Sequence, residues 1–358
     1  MQEPGKTGPD VSRRGFIKGA AMTGVSVVMP GDKVASPIVT GKDSESGADV
    51  GSFMVPRRPM GKTGLEVSII GMGGFHLGTA AGQPEVNNMV AKALDHGINF
   101  FDNAWEYHKG ASEERVGAAL KGKRDKAIVM TKVCTHGRDQ KVAMRMLEES
   151  LVRLQTDHLD VWQVHEVVYY NDPEKIYAPD GVLEALTKAK QQGKVRFVGF
   201  TGHKNPIIHL DMLKRGYAFD TIQMPLNALD PNFRSFEKNV LPVARERGLA
   251  VFGMKSMGGS GEMISKGALT PTEALSYAMS VPGIATTISG MDSMGVLDQN
   301  LAIVRDFKPL TEAQMKALRD HGKQFDDGRF ELFKSTVKYD GDVGRAQHDF
   351  PTTTDLPA

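Results

Sequence analysis

Phe100-Phe101-Asp102-Asn103-Ala104-Trp105-Glu106-Tyr107 runs from an apolar pair into a polar turn, and Gly110, Ser112, Glu113 and Glu114 follow closely behind. Two aromatic residues ahead of a carboxylate mark the end of a buried strand, and the glycine with the Ser-Glu-Glu run marks a loop opening into a helix. The strand end thus carries Asp102, and the loop carries a phenol, Tyr107, five residues on. A phenol titrates near pH ~10, so it is a poor proton donor at neutral pH unless a cation stands beside it. That cation has to come from elsewhere in the chain.

On either side of this segment, strand-like and helix-like stretches alternate. Val67–Gly71 reads as a short strand running into Gly71-Met72-Gly73-Gly74, after a turn-rich lead-in from Arg57 to Gly64. Helical patterning covers 84–96, 112–120, 140–154, 181–192, 206–215, 236–247, 271–279 and 293–304. The first seven lead into apolar strands at 98–102, 127–131, 159–164, 195–200, 221–224, 249–253 and 284–289. Eight strands alternating with eight helices imply a parallel sheet with right-handed crossovers. Eight units over roughly 250 residues have the size of a closed (β/α)8 TIM barrel, of the α/β class. The competing open sheet would carry G-x-G-x-x-G after its first strand, and Gly71-Met72-Gly73-Gly74 is too compressed for that fingerprint.

The chain divides into residues 1–52, a signal and linker; 53–320, the barrel; and 321–358, a C-terminal extension; 310–333 reads as one more helix or two, and 334–358 as an arm packed on the barrel or a loose tail. Ser12-Arg13-Arg14-Gly15-Phe16-Ile17-Lys18 ahead of the apolar Gly19–Met29 stretch closely resembles a twin-arginine export signal. It implies the twin-arginine translocase as a partner during export and a periplasmic destination. Residues 31–52 are rich in Gly, Ser, Asp and Pro, as a linker is.

With 358 residues, 40% of them hydrophobic, the chain can bury a sizeable core. A net charge of +1 and the lack of any long basic cluster give no reason to expect nucleic acid. The single cysteine, Cys134, excludes an intramolecular disulfide and a Cys-ligated zinc or iron–sulfur site. The histidines lack the helical spacing of a zinc pair, so no metal is expected.

In a barrel of this kind, functional groups gather where strands end. Asp102 ends the second strand, Lys132 the third, and His165 follows the fourth, with Tyr107 in the loop after the second. Each has an ordinary structural reading: a turn acid, a rim lysine, a core histidine, a packing tyrosine. Together they form a chemical set. Lys132 behind Ile128-Val129-Met130 stays charged when paired by Asp102. Its ammonium is expected to lower the pKa of the Tyr107 phenol, which then protonates a carbonyl oxygen as hydride reaches the carbonyl carbon. His165 can donate a hydrogen bond to that oxygen.

Residues from about Pro56 to Leu318 resemble an aldo-keto reductase. The resemblance is carried by Phe101-Asp102-Asn103-Ala104-x-x-Tyr107-x-x-Gly110-x-Ser112-Glu113, by Met130-Thr131-Lys132 and by Trp162-Gln163-Val164-His165, with support from Gly193–Phe200, Gln223 and Asn227. It implies a nicotinamide cofactor, NAD or NADP, and Asp102, Tyr107, Lys132 and His165 as a catalytic tetrad acting on a small carbonyl or sugar.

The same resemblance gives Gly73, Thr201, Gly202, Gln223, Met254, Lys255, Ser289, Gly290, Gln299 and Asn300 as cofactor-binding positions. The Ser-Asn pair of the family is Thr201-Gly202 here, and the stacking tyrosine is Met254. Ser289-Gly290-Met291-Asp292-Ser293-Met294-Gly295-Val296 matches the segment that grips an adenosine 2′-phosphate, but it holds no Lys or Arg. NAD is therefore favoured over NADP. Trp105 and His108 are candidate substrate contacts, with Tyr169 and Tyr170 behind them. Two other readings stay open: a catalytically weak nucleotide- or sugar-binding module, motivated by Gly202 and Met254, and a non-redox barrel isomerase using His165 and Lys132. The oligomeric state is not legible.

Overall fold

The computed structural model describes residues 51–133, 138–337, 345, 346 and 351. The twin-arginine segment, the linker to residue 50, Cys134 and most of the tail after 337 lie outside the described residues.

The chain enters through an antiparallel hairpin, β1 (Arg57–Pro59) with β2 (Glu66–Ser68). Eight parallel strands follow: β3 (Ile70–Gly73), β4 (Phe100–Asp102), β5 (Ile128–Val133), β6 (Leu159–Val164), β7 (Val195–Thr201), β8 (Thr221–Pro225), β9 (Ala250–Met254) and β10 (Ile284–Gly290). They close into a barrel in chain order, β10 pairing with β3. The closed (β/α)8 reading of the sequence therefore holds.

Two local readings need correction. The stretch 67–71 is not one strand. Ser68 Oγ donates to Ile70 O at 2.7 Å, and Ser68 N donates to Asn99 Oδ1 at 2.8 Å, so the chain turns between hairpin and barrel. The stretch 236–247 is not one helix but two, Phe236–Asn239 and Leu241–Glu246. Pro242 has no N–H to give to the preceding turn, which breaks the ladder there.

Strand alternation decides what faces inward. Phe100, Ile128, Met130, Val161, Phe252 and Ile288 form one buried cluster inside the barrel, with Met60 and Val67 of the hairpin region beneath them. Their sequence neighbours Phe101, Val129 and Trp162 pack outward in the larger core shared with the helices. Successive strand side chains point to opposite faces, so steps of two stay on one face. From Phe100 the inner face reaches Asp102; from Ile128 and Met130 it reaches Lys132; from Val161 and Gln163 it reaches His165.

The helix Glu312–Gly322 starts with a Thr311/Gln314 capping box. Beyond it the chain is an arm on the barrel as far as residue 337. Lys334 Nζ bonds Asp230 Oδ1 at 2.7 Å, Glu331 Oε1 at 2.8 Å and Phe233 O at 2.8 Å, and the three charged side chains are 0–2% exposed. Burial raises the Glu331 carboxyl to about 7, against the pull of Lys334.

Candidate active site

Lys132 reaches from β5 across to β4, where its ammonium bonds the Asp102 carboxylate and, at 2.6 Å, the Asn103 carbonyl. Both charged side chains are buried, so each depends on the other for solvation. Burial still raises the Asp102 carboxyl above the usual carboxylate range, with Lys132 pulling the other way. The turn that carries Tyr107 is pinned to the same strand, Trp105 N donating to Lys132 O at 3.1 Å. Lys132 Nζ stands 5.1 Å from the centre of the Tyr107 ring. Phe75 meets that ring edge-on at 5.4 Å, and His165 meets it at 5.6 Å and 75°.

The four tetrad residues thus converge, but the expected acidification of the phenol is absent from this arrangement. Burial, reinforced by Asp102, Glu106 and Glu166, holds the Tyr107 hydroxyl well above its ordinary value. The Lys132 charge is already engaged by Asp102, and the two glutamates add negative potential that the sequence did not advertise. Tyr107 is therefore a protonated phenol, the form a proton donor must start from.

His165 is placed by the turn after β6. Arg138 Nη2 donates to His165 O at 2.9 Å and to Glu166 O at 3.2 Å, while Arg138 Nε bonds Asp172 Oδ1 at 3.0 Å. Asp172 Oδ2 accepts from Val168 N and Tyr169 N, each at 2.9 Å. This buried network holds Glu166 in the left-handed region, φ 50°, with its side chain on the cavity. On the other side, His165 Nδ1 is hydrogen-bonded to the Glu106 carboxylate.

A cavity of about 390 Å³ opens on all four tetrad side chains. Gly73, Thr201, Gly202, Gln223, Met254, Lys255, Ser289 and Gly290 line it as well. Gln299 and Asn300 do not. Gln299 is exposed on the helix Met294–Arg305, and Asn300 Nδ2 is spent on Ser289 Oγ at 3.1 Å.

The substrate candidates also need correction. The Trp105 indole N–H is drawn away to Glu149 Oε2 at 2.7 Å, and the ring stacks on Arg153. His108 sits outside the cavity with Nε2 at 2.8 Å from Phe75 O. Tyr169 is buried, and Tyr170 accepts from Asn205 Nδ2 at 3.1 Å at the surface.

The departures from the family pattern have physical causes. A β-carbon on Gly202 would lie 2.2 Å from the Val167 carbonyl oxygen, so no side chain fits where the family places an amide. Met254 Sδ packs 4.0 Å from Thr201 Oγ1. The residues present nonetheless fit a nicotinamide dinucleotide. Gln223 Oε1 is buried with no hydrogen-bond partner among the described residues, ready for an amide N–H. Gly73 lines the cavity, and a β-carbon there would crowd Ser289 O at 3.1 Å.

Several cavity residues were missed in the sequence. Phe75, His76, Glu166 and His203 sit one residue or more beyond a strand end, and periodicity carries no information there. The run Lys255-Ser256-Met257-Gly258-Gly259-Ser260-Gly261 after β9 also lines the cavity, with Gly258 and Gly261 at φ 97° and 79°. Its glycine pattern was a legible sign of an anion-cradling loop. Lys255 lies over the Phe333 ring at 5.1 Å, its pKa lowered by burial. His203 is buried and held neutral, with Nδ1–H donating to Phe333 O at 3.0 Å. The C-terminal arm therefore packs against two residues that line the cavity.

Comparison with known proteins agrees with this geometry. The Aldo/keto reductase family model matches residues 69–268, which span β3 to β9. Aldo-keto reductase YhdN of Bacillus subtilis is 33% identical over 198 residues, covering 51% of this chain and 56% of that protein. L-galactose dehydrogenase of Arabidopsis thaliana is 28% identical over 294 residues, covering 71% of this chain and 89% of that protein. Among solved structures, the holo form of aldo-keto reductase AKR11C1 from Bacillus halodurans has a TM-score of 0.63 at 25% identity, covering 75% of this chain and 96% of that one. An aldo-keto reductase from Klebsiella pneumoniae in complex with NADPH shares the fold, with a TM-score of 0.63 at 23% identity over 75% of this chain and 96% of that one. With the family model spanning seven of the eight barrel strands and all four tetrad positions, the chain belongs to the Aldo/keto reductase family, as an NAD(P)-dependent oxidoreductase.

Proposed function

We propose that the protein reduces the carbonyl of a small, polar, polyhydroxylated substrate to an alcohol, or runs the reverse reaction, with Tyr107 as the proton donor and acceptor. The observation that carries this reading is the half-buried Tyr107 phenol on a cavity, with the Lys132–Asp102 pair behind it and His165 beside it. When bound, the nicotinamide cofactor supplies or takes up the hydride. Gln223 would hold the carboxamide, Gly73 and Met254 would flank the ring, and the 255–261 loop would hold the pyrophosphate.

In the reductive direction, hydride adds to the carbonyl carbon and the Tyr107 proton goes to the carbonyl oxygen. The phenolate left behind is balanced by Lys132, which is why a buried ammonium is needed close to the ring. His165 orients the oxygen for that transfer. Burial of Lys132 and Asp102 strengthens their mutual attraction.

Support for a sugar-like substrate comes from polar side chains on the cavity, including Glu166 and His203, and from the likeness to an L-galactose dehydrogenase. Support for NAD over NADP comes from the start of the helix Met294–Arg305. Glu85 Oε1 already accepts from Met294 N there at 3.1 Å, and Asp292 stands exposed beside it. A second phosphate would meet two carboxylates and no basic residue of its own loop. Export by the twin-arginine route to the periplasm is proposed on the Ser12–Lys18 motif alone.

The test is reduced-nicotinamide absorbance followed with purified protein, NADH or NADPH, and a panel of aldoses, ketoses and simple aldehydes. Tyr107→Phe is expected to lower kcat by about 10²–10⁴-fold while cofactor still binds. Turnover unchanged in that variant would overturn the assignment of Tyr107. Substrate conversion with no change in the nicotinamide band would favour an isomerase instead.

A further inference from the structure

Glu106 and Tyr107 are consecutive, and both touch the same imidazole. Tyr107 meets His165 edge-on at 5.6 Å, and the Glu106 carboxylate takes the bond from Nδ1. Their turn is rigid: Tyr107 N donates to Ala104 O at 3.1 Å, Lys109 N to Glu106 O at 3.0 Å, and Trp105 N to Lys132 O at 3.1 Å. Arg138 fixes the backbone of His165 from the other side, at 2.9 Å from its carbonyl. The ring is thus held by Glu106 and Tyr107 on a fixed backbone, and Nε2 is the ring nitrogen left for a molecule in the cavity.

A carboxylate only accepts hydrogen bonds, so Nδ1 of His165 must carry a proton. A neutral ring protonated at Nδ1 has a lone pair at Nε2 and can only accept there. For Nε2 to donate to a carbonyl oxygen, the ring must carry both protons, and the Glu106 carboxylate is the charge that balances the second. We propose that Glu106 is a positioning residue of the reaction: it fixes the Nδ1–H form of His165 and counterbalances the imidazolium that donates to the substrate carbonyl.

The other groups around the ring do not duplicate this role. Asp102 is engaged by Lys132. His203 is held neutral by burial. Glu166 lies in the same cluster, its carboxylate within 4.8 Å of those of Glu106 and His165, but the Nδ1 bond goes to Glu106. The proton delivered to the substrate still comes from Tyr107. His165 contributes the hydrogen bond that orients the oxygen, so no further oxidant or reductant is involved.

This inference rests on the reductase reading, and its test separates the two. Imidazole ¹⁵N NMR on the full chain with NADH bound, followed across pH, reports which ring nitrogen keeps the proton without needing turnover. The wild type is expected to show a proton on Nδ1 of His165, and Glu106→Ala is expected to move it to Nε2. In steady-state reduction, both Glu106→Ala and the size-preserving Glu106→Gln are expected to lower kcat at least about tenfold, with KM changed much less. A wild-type proton on Nε2, or kcat within twofold of wild type in both variants, would overturn the proposal. A wild type with no turnover would remove the reductase reading, while the tautomer measurement would still decide whether Glu106 sets the ring.

Discussion

Replacing Lys334 by Met removes the charge at the centre of the buried cluster that ties the C-terminal arm to the barrel. Asp230 and Glu331 would then be left together with no cation, each less than 3% exposed. Asp230 keeps backbone bonds from Phe236 N at 3.0 Å and Glu237 N at 2.8 Å, so Glu331 bears most of the loss. Breaking a buried ion pair by deleting one partner costs about 3–5 kcal/mol. At about 2 °C per kcal/mol for a domain of this size, the melting temperature should fall by roughly 6–10 °C.

The deficit should also depend on pH. The Glu331 carboxyl is raised from 4.5 to about 7 in the folded chain, so the folded state holds a proton that the unfolded state releases. Its contribution to stability is therefore present below about 4.5 and is lost as pH rises through 7. Without Lys334 that carboxyl rises further. The variant should lie closest to wild type at about pH 5, where Glu331 is protonated, and furthest from it at about pH 8. Calorimetric or fluorescence melts of both proteins at the two pH values measure this. A deficit of the same size at both, or none at all, would show that the cluster does not carry the charge balance described here.

Four other outcomes are expected. Gly202→Ala places a β-carbon 2.2 Å from the Val167 carbonyl oxygen, and thermal melts should show a loss of about 1–3 kcal/mol or more. Asp292→Lys should improve NADPH binding relative to NADH by about tenfold, equivalent to ~1.4 kcal/mol, in a fluorescence titration; an unchanged ratio would remove the carboxylate explanation for cofactor choice. Because Tyr107 is held well above 10, alkaline difference spectra of wild type against Tyr107→Phe should show no extra phenolate up to pH 10 in the cofactor-free protein. Trp105→Phe should leave KM unchanged within about twofold while lowering stability by about 1 kcal/mol, since the indole N–H serves Glu149 rather than substrate.

The barrel was legible because its signal is repeated: apolar strand, loop, amphipathic helix, eight times over. The tetrad was legible for the same reason, since Asp102, Lys132 and His165 all lie an even number of residues from an inward-facing apolar residue. What stayed hidden was whatever depended on the turns. Glu106 is adjacent to Tyr107 in sequence, yet only the folded turn brings its carboxylate to His165. Trp105 shares the motif but points to a helix that lies 44 residues on in sequence. The direction of the Tyr107 shift was missed because burial in the folded turn sets it, with Asp102, Glu106 and Glu166 adding to it. Gly202 looked like a lost amide in the sequence and proves to be a steric necessity in the fold.

The hairpin at the barrel entrance also constrains the order of events in a catalytic cycle. Met60 and Val67 stop the lower end of the cylinder, and a β-carbon on Gly61 would strike Ala250 N at 2.5 Å, so nothing passes beneath. Among the described residues, the cavity on the tetrad lies at the opposite end of the barrel, where the strands end. A dinucleotide lying along Gly73, Gln223 and the 255–261 loop would occupy the recess beyond Tyr107, and a smaller carbonyl compound arriving first would stand in its path. With the cofactor placed as proposed, compulsory-order kinetics, nucleotide first to enter and last to leave, is the expected outcome, and product-inhibition patterns would read it.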